Sequence, residues 1–227
     1  MPPTFKELTA YFVEVGADQV NHTEKTYLAH AIGVYNDLKT WGFVEEFARI
    51  GLFHSIYGTQ IFQGFALPVE RRDEIRAMIG ERAEYIAYLN CAMDRDSFDA
   101  QVTRRQAPHP ITDRLTGEEI VLDERTFDDL VSLHLCDWLE QVERSSSWDY
   151  RREAFHNMAQ RLGGVAVESH ERVFGREPQE YLMRMGMPVI ILVAKELGAN
   201  VDVARRQHLV VSDDNPQCRQ PALVIGV

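Results

Sequence analysis

The chain has 227 residues, 45% of them apolar and 26% charged, the balance of a soluble globular protein with one large domain or one domain plus an appendage. A net charge of -11 excludes a nucleic-acid backbone as the main partner, because phosphate contacts need clustered Lys and Arg. A locally positive pocket on an acidic surface still suits an anionic small molecule.

Three cysteines, Cys91, Cys136 and Cys218, without CxxC spacing, exclude a disulfide framework and a thiolate zinc site. The first residues lack the apolar core of a signal peptide, and the run at 188–194 is too short to span a bilayer. A cytoplasmic protein with no membrane partner is expected.

Residues 4–15 predict an amphipathic helix, with Phe5, Leu8, Tyr11 and Phe12 at helical spacing and Gly16 ending it. A linker leads to His22. Thr23 or Thr26 is the candidate N-cap of a second helix, which carries Tyr27, His30, Ala31, Val34 and Leu38 and closes at Trp41-Gly42. Residues 43–57 predict a third helix, with Phe47, Ile50, Phe53, His54 and Tyr57 on one stripe. A charged helix over 70–79 follows, broken by Gly80, and another runs over 81–93.

Residues 94–125 read as the poorest region for helix, with a hairpin over 111–122 turning at Thr116-Gly117. Thr126 opens a helix over 127–142 that carries Leu130, Leu133, His134, Asp137 and Trp138. Shorter helices are expected over 150–162, 167–174, 178–185 and 188–197. The fold class is all-α with one small hairpin: a helical domain over 1–145 and a C-terminal helical extension over 146–227 that packs on the same core. Three roles are open to the extension: capping the site, completing the core, or forming a homodimer contact.

His30, His54 and Asp137 each sit inside an apolar stretch on a different helix. A buried imidazole or carboxylate needs a partner, and a metal ion satisfies several at once. Imidazole and carboxylate are common ligands of first-row transition metals. The competing reading is three separately hydrogen-bonded core residues. His22 is a candidate extra ligand or an exposed linker residue. His134, three residues before Asp137, is a candidate ligand, a partner to a ligating carboxylate, or a packed core residue. Ser55 is a candidate for holding water or substrate, and Tyr57 a candidate acid or a core aromatic. Glu84 reads as a solvated helix position with a ligand role as the alternative. Arg71, Arg72 and Arg76 read as a salt-bridged surface helix rather than an anion site.

His30 with Val34, then Ala48-Arg49-Ile50-Gly51-Leu52-Phe53-His54, then Leu135-Cys136-Asp137-Trp138-Leu139, resembles the HD superfamily of helical metal-dependent phosphohydrolases. The nearest pattern is that of the alarmone hydrolases, over roughly residues 23–142. The resemblance implies an HD-like helical bundle, a divalent transition metal (iron or manganese) on His30, His54 and Asp137, and a small-molecule substrate. Two departures stand out: Ser55 replaces the Asp of the His-Asp pair, and Tyr57-Gly58 replaces the Glu-Asp of the alarmone hydrolases. Hydrolysis of a phosphorylated compound is the leading expectation. A non-haem iron oxygenase and a non-catalytic binding domain are the alternatives.

Overall fold

The computed structural model describes residues 2–178. Residues 1–176 form one compact unit and residues 177–227 a second. The helices expected over 178–185 and 188–197 lie outside the described residues, apart from Pro178 itself.

The first unit is built from nine α-helices and two small hairpins among the described residues: α1 (Phe5–Glu14), β1 (Asn21–His22), β2 (Lys25–Thr26), α2 (Tyr27–Thr40), α3 (Glu45–Phe53), α4 (Arg72–Ile79), α5 (Glu81–Ala92), α6 (Arg95–Val102), β3 (His109–Thr112), β4 (Glu119–Leu122), α7 (Glu124–Gln141), α8 (Arg152–Leu162) and α9 (Gly164–Phe174). The fold is therefore all-α, with a β3–β4 hairpin close to the expected position and register pairs from His109–Leu122 to Thr112–Glu119. No helix among the described residues is long and apolar enough to cross a membrane.

Local chemistry sets the boundaries. Thr4 and Glu7 form a reciprocal capping box at the start of α1. Thr26, the second candidate, caps α2 by accepting from Ala29 N at 3.2 Å. Thr23 is instead a turn residue: it and Glu24 have φ of 41° and 61°, the positive-φ pair of a two-residue hairpin between β1 and β2. Helix α7 begins one turn before the expected start, because the Asp123 carboxylate accepts from Thr126 N at 2.7 Å. Helix α6 lies in the stretch that reads as unhelical; Asp94 caps it, and Phe98 and Val102 bury its inner face.

Four helices enclose the centre. α2 packs against α3 and α7, α3 against α5, and α5 against α7, while α8 and α9 also pack against α7. α8 and α9, expected in the extension, thus belong to the same compact unit as α1–α7. The α2–α3 approach depends on Gly51: a Cβ there would meet Tyr35 N at 2.7 Å and the Val34 carbonyl carbon at 2.9 Å. Only a residue without a side chain lets the two backbones come this close.

Candidate metal centre

His30 sits in the first turns of α2, His54 at the C-terminus of α3, and Asp137 in the last turns of α7. All three are buried, with relative exposures of 0%, 1% and 6%. His30 Nε2 lies 3.2 Å from His54 Nε2 and 3.0 Å from Asp137 Oδ1, and His54 Nε2 is 3.4 Å from the same oxygen. Together they form a group able to hold a metal ion.

The far nitrogen of each imidazole is already engaged. α3 ends at Phe53, earlier than its hydrophobic stripe predicts, and the His54 ring turns back so that Nδ1–H donates to the Gly51 carbonyl at 2.7 Å. This hydrogen bond satisfies a carbonyl that the helix end would otherwise leave open. His30 Nδ1 faces Glu140 Oε2 at 2.5 Å. An oxygen acceptor on Nδ1 fixes the tautomer that leaves the Nε2 lone pair free for a ligand bond, the arrangement that supports metal-bound histidine. Both Nε2 atoms then converge on the Asp137 oxygen.

The spacing fits an ion. Bonds of about 2.1 Å hold neighbouring donors about 3.0 Å apart at octahedral angles and about 3.4 Å apart at tetrahedral angles. The three measured separations, 3.0, 3.2 and 3.4 Å, span that interval.

Charge is arranged to match. Burial pushes the Asp137 carboxyl up, but the His54 and His30 imidazoles outweigh it and hold it well below the ordinary carboxylate range. Burial opposes a charge on His30, yet the bonds to Asp137 and Glu140 carry its pKa up to about 9. Glu140 is itself held by Lys25 Nζ at 2.9 Å and Arg144 Nη2 at 2.6 Å. Gly33 makes room for it, since a Cβ there would lie 2.5 Å from Glu140 Oε1. Gln141 donates to Asp137 Oδ1 at 2.9 Å.

Within the donor group's surroundings, Glu140 is a residue that sequence reasoning missed. The signal was its place three residues after Asp137, on the same helix face.

His22 lies beside the group rather than in it. Its ring stacks on His30 with centroids 4.2 Å apart and planes 5° from parallel, so it presents a face to the ligand ring. Burial, then the neighbouring His30, lowers its pKa to about 4. Ser55 Oγ lies 3.2 Å from His54 Nε2, at the edge of the donor group.

His134, which lines the cavity that opens onto the centre, and Tyr57, the candidate acid, make their hydrogen bonds to residues outside the donor group. His134 Nδ1 pairs with Asn90 Oδ1 at 3.0 Å, and its Nε2 accepts from Arg151 Nη1 at 2.8 Å. Burial first, and the Arg151 charge second, push its pKa well below the usual value, so the ring is a neutral acceptor and not an acid at neutral pH. Asn90 in turn donates to the His54 carbonyl at 2.8 Å, which ties α5 and α7 to the end of α3. The Tyr57 hydroxyl donates to Glu84 Oε1 at 3.0 Å, away from the donor group.

Glu84, expected on a solvated face, is fully buried. Arg72 grips it with two bonds of 2.6 and 3.0 Å, and Arg76 adds a third at 3.1 Å. A buried carboxylate persists when it is paired in this way. The surface pairs Arg71–Glu74 and Arg76–Asp73 match the salt-bridged helix that the sequence suggests.

A cavity of about 250 Å³ opens onto the centre. His54, Ser55, Thr59, Asp137 and Gln141 supply polar lining, and Phe62, Trp138 and Phe155 contribute aromatic walls. The volume lies just below the roughly 300–1,000 Å³ of drug-sized pockets and suits a small molecule.

The family described as "Domain of unknown function (DUF6817)" matches residues 11–95. That stretch is less than half of the chain; it holds His22, His30 and His54 but not Asp137. No curated protein matches the chain, and no solved structure matches it.

Proposed function

We propose that this chain is a divergent HD-like enzyme with one divalent transition metal, iron or manganese, on His30, His54 and Asp137, and that it hydrolyses a phosphorylated small molecule. The observation that carries the reading is the convergence of two Nε2 atoms, each with its Nδ1 committed to an oxygen, on one buried carboxylate oxygen. The order of these residues along the helices agrees with the resemblance. When bound, the ion lowers the pKa of a coordinated water and polarises a phosphoryl oxygen.

The chain's own residues do the rest. Asp137 supplies the anionic ligand, and Gln141 holds its coordinating oxygen in place. Glu140 keeps the His30 ring oriented and its Nδ1 proton bound. Ser55 stands beside His54 Nε2, where its hydroxyl can orient a water molecule.

One observation favours a second reading. Two imidazoles and one carboxylate are the donor set of facial-triad iron oxygenases, which keep positions open for oxygen and substrate.

Elemental analysis of the purified protein, followed by parallel assays, separates the two. Phosphate release from small phosphomonoesters that depends on added manganese or iron and disappears in His54→Ala supports the hydrolase. Stoichiometric iron with substrate-dependent oxygen consumption and no phosphate release replaces it with the oxygenase. Absence of any bound metal, with His54→Ala unchanged in thermal stability, overturns both.

A further inference from the structure

The cavity has a second charged group besides the ligand residues. Apart from histidines, the charged side chains among the described residues that line it are Asp137 and Arg95. Arg95 is the first residue of α6, whose start is fixed by Asp94 accepting from Ser97 N at 2.9 Å. Its backbone N–H donates to Gln60 Oε1 at 2.9 Å, and Nη1 donates to the Tyr150 hydroxyl. The guanidinium stands 5.9 Å from the centre of the Tyr150 ring.

What Arg95 lacks is a carboxylate: none lies in salt-bridge range of it among the described residues. Two other arginines contrast with it. Arg151 takes Asp99 with two bonds, and Arg144 takes Glu140. In a chain of net charge -11, a guanidinium that faces a cavity without an anion is poised for an external one. Trp138, only 9% exposed, lines the same cavity, and its indole N–H is buried with no acceptor among the described residues. The cavity therefore offers a guanidinium that no carboxylate of the described residues neutralises.

A charge count gives the sign of the ligand. A divalent ion on Asp137 leaves one positive charge, and Arg95 adds a second. Lys25 and Arg144 more than offset Glu140, and the Arg151–Asp99 pair cancels. The surplus is positive and suits an oxyanion.

We propose that Arg95, oriented by Tyr150, forms an anion subsite that takes the oxygens of a dianionic phosphoryl group held in the same cavity as the metal centre. This proposal rests on the metal reading above and adds the residue that selects the substrate's charge.

The test is a calorimetric titration of inorganic phosphate into manganese-loaded protein at mildly alkaline pH, where phosphate is a dianion. It compares wild type, Arg95→Gln, Arg95→Lys and Arg104→Gln. Arg104 is exposed and lies outside the cavity lining, so it serves as the surface-charge control. Loss of a charge-assisted contact predicts phosphate binding at least about tenfold weaker in Arg95→Gln, smaller loss in Arg95→Lys and none in Arg104→Gln. Manganese stoichiometry and affinity stay unchanged in all three.

Equal phosphate affinity in Arg95→Gln and wild type overturns the subsite and leaves the metal reading standing. If wild type binds no manganese, the metal reading fails by itself. Phosphate titration of the metal-free proteins then decides Arg95: a tenfold difference sustains the subsite and equality removes it. Circular dichroism and melting temperature establish that each variant is folded, and Arg95→Lys carries the comparison if Arg95→Gln does not fold.

Discussion

Gly33→Ala tests the link between helix packing and metal affinity. The new Cβ would sit 2.5 Å from Glu140 Oε1 and 2.8 Å from its Cδ and Cγ. Ordinary contact needs about 3.4 Å or more, so the carboxylate has to retreat by about 1 Å. That shift takes the 2.5 Å bond between Glu140 Oε2 and His30 Nδ1 beyond normal hydrogen-bond range. Loss of the carboxylate behind a metal-bound histidine typically costs about 10–100-fold in affinity, or about 1.4–2.7 kcal/mol. Fold stability moves less. Ala gains up to about 1 kcal/mol over Gly in a helix interior, against about 1.5–3 kcal/mol for a lost hydrogen bond to a charged group. The assay is competitive manganese binding against a chromophoric chelator, with a denaturant melt of the metal-free protein as control. A folded Gly33→Ala protein with wild-type affinity would refute the role of Glu140, and Glu140→Gln in the same assay should reproduce the loss without the steric change.

Three further outcomes are expected. Gly51→Ala drives its Cβ into the α2 backbone, which cannot move as a side chain can; overpacking of this kind costs about 1–3 kcal/mol, seen as a lower denaturant midpoint, and separates His30 from His54. Glu84→Ala leaves Arg72 and Arg76 without their buried partner; loss near the low end of about 3–5 kcal/mol is expected because both arginines are partly solvated, with metal stoichiometry unchanged, and a loss under about 1 kcal/mol would argue that Glu84 is hydrated. Metal binding releases about one proton at neutral pH, because an ion on Nε2 displaces the proton that His30, its pKa raised to about 9 by Asp137 and Glu140, carries there. Affinity therefore rises with pH and levels off above about 9. The metal-free fold has the opposite sense: a His whose pKa rises from 6.5 to about 9 contributes stability that is complete below 6.5 and lost as pH rises through 9. Calorimetry in buffers of different ionisation enthalpy measures the proton count.

The sequence carried the metal group because its three members interrupt apolar runs, which marks them as buried before any tertiary contact is known. Helix identity was similarly legible wherever the 3.6-residue period was strong, as in α1 and α7. Glu140, Glu84 and Arg95 were not legible. Glu140 and Glu84 lie on helices where a charged residue reads as solvated, and their burial depends on Lys25 and Arg72 from other elements and on Arg144 just past the end of α7. Arg95 lay in a polar stretch whose helix is marked by little more than the Asp94 cap and two apolar residues four apart. The break after Phe53 also escaped periodicity, since the stripe continues through Tyr57 while the His54 ring itself closes the helix. Tertiary partners decided each of these cases.

Ser55 bears on how many ions the centre supports. Two divalent ions about 4 Å apart repel strongly in a buried site, and carboxylates that bridge or flank them normally offset that repulsion. Here Asp137 is the one carboxylate in the donor group. Glu140 is committed to His30, Lys25 and Arg144. Both His134 nitrogens are engaged, and His22 offers a ring face. Where an aspartate would add charge beside His54, a neutral hydroxyl stands 3.2 Å from its Nε2. The donor inventory therefore balances one ion, and manganese titration should saturate at one equivalent. Ser55→Asp restores an anion at that edge and should admit a second equivalent; a wild-type stoichiometry of two would mean that His22 turns its nitrogen inward and that the charge argument fails.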